Sequence, residues 1–102
     1  MKERTFIVIE NVAIAKDTFR MDLACLDDEF FGEVQPGQFL HIRLPGAAFS
    51  LRRPISVCDV NSGVVTIVYA LKGEGTRALS EVKPGNGLIA TGPLGKAFPV
   101  EG

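Results

Sequence analysis

Apolar residues recur along most of the chain with a period of two, the spacing of strands that turn one face inward, and glycines and prolines cut the pattern into short pieces. Residues 5–15 are rich in Ile and Val. Lys16-Asp17 separates them from residues 18–24, where Phe19, Met21 and Leu23 alternate with Thr18, Arg20 and Asp22, so the two segments predict a hairpin. After an acidic loop, Gln35-Pro36-Gly37-Gln38 supplies a turn. The next strand places Leu40, Ile42 and Leu44 on one face and His41 and Arg43 on the other, and Pro45-Gly46 ends it.

Arg52-Arg53-Pro54 introduces a fourth strand at 55–60, and Asn61-Ser62-Gly63 turns the chain into a fifth at 64–71. Over 76–83 the period changes. Ala78, Leu79 and Val82 share a helical face, Arg77 and Glu81 can pair four residues apart, and Pro84-Gly85 stops the segment, which predicts one short helix. Residues 88–91 form a last strand, broken by Gly92-Pro93-Leu94-Gly95. Six strands and one helix predict an all-β domain closed as a small antiparallel barrel, because closure removes the exposed edges of an open sheet.

Length and charge narrow the function. With 102 residues, the chain has room for one domain, which excludes a multidomain enzyme. Eleven Lys and Arg against twelve Asp and Glu leave a net charge of −1, so no global basic field argues for nucleic acid. The apolar runs fall far below the roughly 18 residues of a membrane span. Met1-Lys2-Glu3-Arg4 leads straight into a strand without the features of a secretory signal, so a soluble cytoplasmic protein is expected. Cys25 and Cys58 stand 33 positions apart with neither the short spacing nor the nearby His of a metal site, and are expected to be buried, reduced thiols.

Two segments could carry chemistry. Lys72-Gly73-Glu74-Gly75-Thr76 runs into the predicted helix, so backbone N–H groups, a permissive glycine pair and a hydroxyl converge at the positive end of a helix dipole, as in a phosphate cradle. Its plainer reading is a helix cap by Thr76. Arg52-Arg53-Pro54 sets two guanidinium groups at the start of a strand, where one could grip a phosphate through two parallel bonds or simply be a solvated edge. If strands four and five are neighbours, Arg53 approaches Gly75-Thr76 on one rim, and a single pyrophosphate could touch both. His41 has no evident catalytic partner and reads as a surface or rim residue. Asp27-Asp28-Glu29 reads as a solvated loop. Phe6, Phe19 and Phe39 follow strand alternation and read as core, whereas Tyr69 is amphipathic and close to the cradle.

Pro36-Gly37-Gln38-Phe39, then Leu51-Arg52-Arg53-Pro54-Ile55-Ser56, then Val68-Tyr69-Ala70-Leu71 with Gly73-Glu74-Gly75-Thr76-Arg77-Ala78-Leu79-Ser80, and Gly92-Pro93-Leu94-Gly95-Lys96-Ala97-Phe98 closely resemble, in register, the flavin-binding lobe of the ferredoxin reductase-like flavoproteins. Within that superfamily the chain resembles the electron transfer subunits of bacterial dihydroorotate dehydrogenases. The resemblance covers essentially the whole chain. It implies a six-stranded Greek-key barrel that binds FAD in extended form, with a phosphate-binding helix after the fifth strand. Carried over, Arg53 would hold the FAD pyrophosphate, Ile55 would lie against the flavin ring, and Ser56 would approach the ring's reactive edge, with a kink at Pro54 or backbone contact at Ser56 reconciling their opposite directions. Tyr69, Ala70 and Leu71 would line the groove, and Gly75 and Thr76 would donate to the phosphates. An aliphatic Ile55 replaces the aromatic often found in the superfamily.

The same resemblance implies partners. The family continues into an NADH-binding lobe and a Cys-rich segment holding a [2Fe–2S] cluster, and it passes electrons to the FMN of a catalytic subunit in pyrimidine (UMP) biosynthesis. This chain ends where the barrel would hand over, so it is expected to be a fragment or truncated homologue that holds FAD, carries no catalytic residue or metal site of its own, and does not oxidise NADH efficiently alone. Other readings stay open: the barrel of a hydrogenase or sulfur-reductase gamma subunit, or a riboflavin synthase-like module that binds a flavin without its adenine half.

Overall fold

The computed structural model describes residues 3–25, 27–43 and 52–95, with Arg52 traced through its backbone. Leu44, Pro45-Gly46, Leu51 and Lys96-Ala97-Phe98, on which expectations above rest, lie outside these residues. The strands are β1 (Glu3–Ala15), β2 (Thr18–Ala24), β3 (Phe39–Arg43), β4 (Arg52–Asn61), β5 (Val64–Ala70) and β6 (Gly87–Leu94), with α1 (Asp28–Glu33) after β2 and α2 (Gly73–Ser80) after β5. All pairings are antiparallel, and the sheet closes as a barrel in the order β1-β2-β5-β4-β3-β6. The expected barrel is therefore the observed one.

Alternation explains the core. Phe6 and Val8 on β1, Met21 and Leu23 on β2, Leu40 and Ile42 on β3, Val57 on β4, and Val65 and Ile67 on β5 all point inward and are buried. The β4–β5 hairpin turns at Ser62 and Gly63, whose φ values of 49° and 80° are both positive, the conformation that matches the twist of paired strands. Because β2 and β5 run antiparallel, the helices that follow them lie at opposite mouths. Phe30 of α1 and Leu79 of α2 are fully buried in the same core.

Several local expectations are corrected. The acidic segment is not merely a solvated loop but starts a second helix: the Asp27 carboxylate caps α1 by accepting from the N–H of Glu29 at 2.9 Å and of Phe30 at 3.4 Å, and Phe30 packs edge-on against Phe6. The helix predicted at 76–83 lies three residues earlier, because Lys72, in extended conformation, is its N-cap and Thr76 falls in the first turns. The last strand does not break at Gly92 but runs to Leu94, which pairs with Phe39 beyond a bulge in the β3–β6 ladder; the Gly92-Pro93 peptide is cis. The fourth strand starts at Arg52, with Pro54 opposite His41.

Phe39 is not core. It sits half-buried on the outer side of β3, stacked on His41 at 5.7 Å, since alternation sends Leu40 and Ile42 inward and their neighbours out. Phe19 is half-buried against Tyr69. The thiols are not buried either: Cys58 is exposed, Cys25 is half-buried, and both are free. Cys58 lies at the irregularity between Val57 and Asp59, where alternation turns it outward. No helix of the described residues is long and apolar enough to cross a membrane.

Candidate functional site

The β4–β5 ladder runs from Asn61↔Val64 to Val57↔Ile67 and stops there, while β4 continues along β3 to Arg52 and β5 continues along β2 to Ala70. The two strands part beyond that point, and a cleft of about 320 Å³ opens between them. Arg53, Pro54, Ile55 and Ser56 form one wall, and Val68, Tyr69 and Ala70 the other. Lys72 and Thr76 complete it at the start of α2.

Backbone alternation explains the parting. Val57 donates its N–H to the Gln38 carbonyl at 2.7 Å and accepts at its own carbonyl from Gly37 at 3.0 Å, both on the β3 side. The peptide groups of Ser56 therefore face the cleft, and a residue at position 54 would aim its N–H the same way. Proline has none, so Pro54 cannot sustain the ladder and leaves no orphan donor where pairing ends. Leu71 donates its N–H to the Asp17 carbonyl at 2.8 Å, toward β2, which by the same rule turns the peptide groups of Ala70 and Val68 to the cleft. Strand β4 thus serves one site through both faces: Ile55 offers its side chain, and Ser56 its backbone with an exposed side chain. No kink at Pro54 is needed, since β4 is continuous through it.

The cleft has a cationic end and an apolar floor. Arg53 and Lys72 are both exposed, and no carboxylate lines the cleft among the described residues. The first-turn N–H groups of α2, like those of any helix, have no intrahelical partner, and its N-cap, Lys72, offers them no side-chain acceptor. Thr76 is 3% exposed. Its hydroxyl accepts from the Lys72 N–H at 2.5 Å and donates to the Lys72 carbonyl at 2.9 Å, so it braces the turn instead of capping the helix. Ile55 and Tyr69, 8% and 3% exposed, make the floor. The Tyr69 ring stacks on Phe19 at 5.8 Å and its hydroxyl donates to Asn11 Oδ1 at 2.8 Å. Burial pushes the Tyr69 phenol up to about 12.

Of the residues singled out from the sequence, Arg53, Pro54, Ile55, Ser56, Tyr69, Ala70 and Thr76 line this one cleft. Leu71 turns its N–H to β2, and Gly75 lies in the first turn of α2 beside Thr76; neither is in the lining. Val68 and Lys72 line it without having been assigned a role. Lys72 had a signal, since it opens the Gly73-Glu74-Gly75-Thr76 segment. Val68 had none, because its contribution depends on where the β5 ladder ends. No group of three or more potential metal ligands occurs among the described residues.

Comparison with known proteins bears on the chain and its fold. No protein-family model matches the chain. It is 42% identical, over 98% of its length, to the dihydroorotate dehydrogenase B (NAD(+)) electron transfer subunit of Fusobacterium nucleatum, and 40% identical, over 96%, to that of Streptococcus mutans. This chain is a relative of the dihydroorotate dehydrogenase B electron transfer subunits. It spans 39% and 37% of the length of those two proteins. Its fold matches a solved NADH-dependent reduced ferredoxin-NADP oxidoreductase, an enzyme of flavin-based electron bifurcation, with a TM-score of 0.80 at 30% identity, over 94% of this chain and 34% of that one. The barrel is thus of the ferredoxin reductase type.

Proposed function

We propose that the chain is the FAD-binding barrel of an electron-transfer subunit of dihydroorotate dehydrogenase B, and that the cleft between β4 and β5 holds the cofactor. The observation that carries this reading is that Arg53 and the first turns of α2 line one cleft. A diphosphate carries two negative charges, and the cationic end supplies a guanidinium able to make paired bonds, an ammonium, and the N–H groups of an uncapped helix. The apolar floor of Ile55 and Tyr69 suits a flat ring, and Ser56 can offer its N–H and hydroxyl at the ring's edge. Ala70 and Val68 present peptide groups along the other wall. The residues present therefore fit FAD.

Bound flavin would supply the redox chemistry, taking up a hydride and releasing electrons singly. The chain's own residues bind, orient and shield it. Arg53 neutralises the diphosphate, Thr76 holds Lys72 and the turn before α2 in place, and Ile55 keeps water from one side of the ring. Gly75 would act through its backbone N–H in the first turn of α2, and Leu71, whose own N–H is given to Asp17, would only carry the chain from the groove wall into that turn. The remaining parts of the reading are what the family resemblance implies: residues 1–102 as the FAD domain, an NADH-binding lobe and a [2Fe–2S] segment as further parts of the electron transfer subunit, an FMN-containing catalytic subunit as partner, and a place in pyrimidine synthesis in the cytoplasm.

The test is spectroscopic. The purified chain is expected to be yellow, or to become so with FAD, and to quench flavin fluorescence at tens of micromolar. Arg53→Ala should weaken FAD by roughly ten- to a hundredfold, the worth of one charged hydrogen bond or more, and riboflavin much less. A colourless chain that quenches no flavin overturns the reading. Equal losses for FAD and riboflavin would point instead to a module that recognises the ring alone.

A further inference from the structure

Asn11 stands on β1, outside the cleft lining, yet its side chain joins three elements. Its Oδ1 accepts the Tyr69 hydroxyl at 2.8 Å, and its Nδ2 donates at 3.0 Å to the Leu79 carbonyl and at 3.0 Å to the Val82 carbonyl. Two carbonyls can accept only from the amide nitrogen, so the side chain has one workable orientation and the tyrosine hydroxyl must be the donor. Leu79 is in the last turn of α2 and Val82 stands two residues beyond its end, where carbonyls run out of intrahelical donors.

This tie adds to the packing of α2, whose Leu79 is fully buried in the core with Val82 against it. A helix of eight residues is marginal by itself, and Thr76 and Leu79 are its buried residues. Thr76 braces its N-terminal side on Lys72, and Asn11 holds its C-terminal side to β1 and to the tyrosine of the cleft wall. The cleft floor, the far end of the helix and, through the helix, the turn facing Arg53 are linked through one amide.

We propose that Asn11 is a positioning residue for the anion end of the cleft: by anchoring α2 it sets the first turn against Arg53, and so governs recognition of the diphosphate while leaving the ring's contacts with Ile55 untouched. The inference rests on the FAD reading above. Asn11→Asp keeps the size of the side chain and the acceptor for Tyr69 but turns an oxygen toward the Leu79 and Val82 carbonyls. It is expected to raise the dissociation constant for FAD about tenfold, and that for riboflavin less than about twofold, as the loss of two hydrogen bonds at the helix implies. Hydrogen exchange of the ligand-free chain should show faster exchange in α2 and unchanged protection in β2 and β5. Equal weakening of FAD and riboflavin, or α2 amides that exchange at the wild-type rate, overturns the proposal. Should Asn11→Asp fail to fold, Asn11→Ser removes the bonds to Leu79, Val82 and Tyr69 together, and Tyr69→Phe, which removes only the last, is its control for the same two readouts. If the wild-type chain binds no FAD, the functional reading fails separately, and the exchange rates still decide whether Asn11 holds the helix.

Discussion

Arg4 and Asp27 meet at the mouth opposite the cleft, the guanidinium Nε donating to Asp27 Oδ2 at 2.7 Å. The same guanidinium donates to the Gly92 carbonyl at 2.7 Å and to Glu29 Oε1 at 3.1 Å, and lies 5.4 Å from the centre of the Phe30 ring. One buried arginine therefore ties the start of β1 to the cap of α1 and to the end of β6. All its partners are acceptors, as a cation with five N–H donors requires.

The pair makes stability depend on acid. The hydrogen bond from Arg4 holds the Asp27 carboxyl below its ordinary range, helped by the N–H groups of Phe30 and Glu29 against an opposing effect of desolvation. A carboxyl depressed in the folded state contributes stability above its unfolded value of about 3.9, and that contribution is lost as pH falls through the folded value. Urea midpoints of the wild-type chain should therefore drop below about pH 4, and Arg4→Met should be less stable at neutral pH with a flatter acid limb. Parallel curves for the two proteins would contradict this.

Asp27 also caps α1, and the two roles separate by substitution. Asp27→Ser retains a cap oxygen but gives up the ion pair; Asp27→Ala loses both. Thermal midpoints are expected to fall in the order wild type, Asp27→Ser, Asp27→Ala. Equal midpoints for the two variants would mean that the cap contributes nothing measurable.

How much of this was legible follows from range along the chain. The inward residues of β1, β2, β3 and β5 were readable because alternation is local, and the Arg53 and Gly75-Thr76 segments were readable because each is a short run of unusual residues. Asp27 was misread as solvated because its partner, Arg4, stands 23 residues away and the pairing exists only once α1 folds over the mouth. Phe39 was assigned to the core by alternation, yet it shares the parity of His41 and so falls on the outer face of β3. Lys72 and Val68 were passed over because the cleft depends on where the β4–β5 ladder ends, a fact of pairing that neither strand records alone.

The hydroxyl of Thr76 gives the third prediction. Thr76→Val preserves shape but leaves the Lys72 N–H without its acceptor, at a cost of about 1–3 kcal/mol in chemical denaturation if water cannot reach it. Thr76→Ser retains the bond and should stay within about 1 kcal/mol of wild type. FAD affinity should follow the same order. A valine variant that keeps wild-type stability would show that the turn before α2 needs no brace.

Gly95 has a positive φ of 81°, and a Cβ there would sit 2.5 Å from the Phe39 ring. Gly95→Ala is expected to destabilise by about 1–3 kcal/mol, combining overpacking with the left-handed backbone. Adding Phe39→Ala should return the overpacking part alone, leaving a residual loss from the backbone. A double-mutant cycle in urea measures the split, and strict additivity would show that the ring is not what the methyl group meets.

Tyr69 is the chain's one tyrosine, and there is no tryptophan, so its ionisation can be followed by ultraviolet absorbance without interference. Burial should hold the phenol to about 12, well above the ordinary value of about 10. Because the folded state binds the proton more tightly than the unfolded one, the resulting stability is complete below about pH 10 and declines as pH rises toward the folded value. Urea midpoints should therefore decline through that window, and Tyr69→Phe, which cannot ionise, should decline less while starting from a lower value because it gives up the bond to Asn11. In Asn11→Ala the phenol loses the acceptor of its O–H, which helps it hold the proton, so its titration should move downward. A tyrosine that titrates near 10 in the folded wild-type chain would mean that the hydroxyl reaches water, and that the floor of the cleft is not sealed by Asn11 and α2.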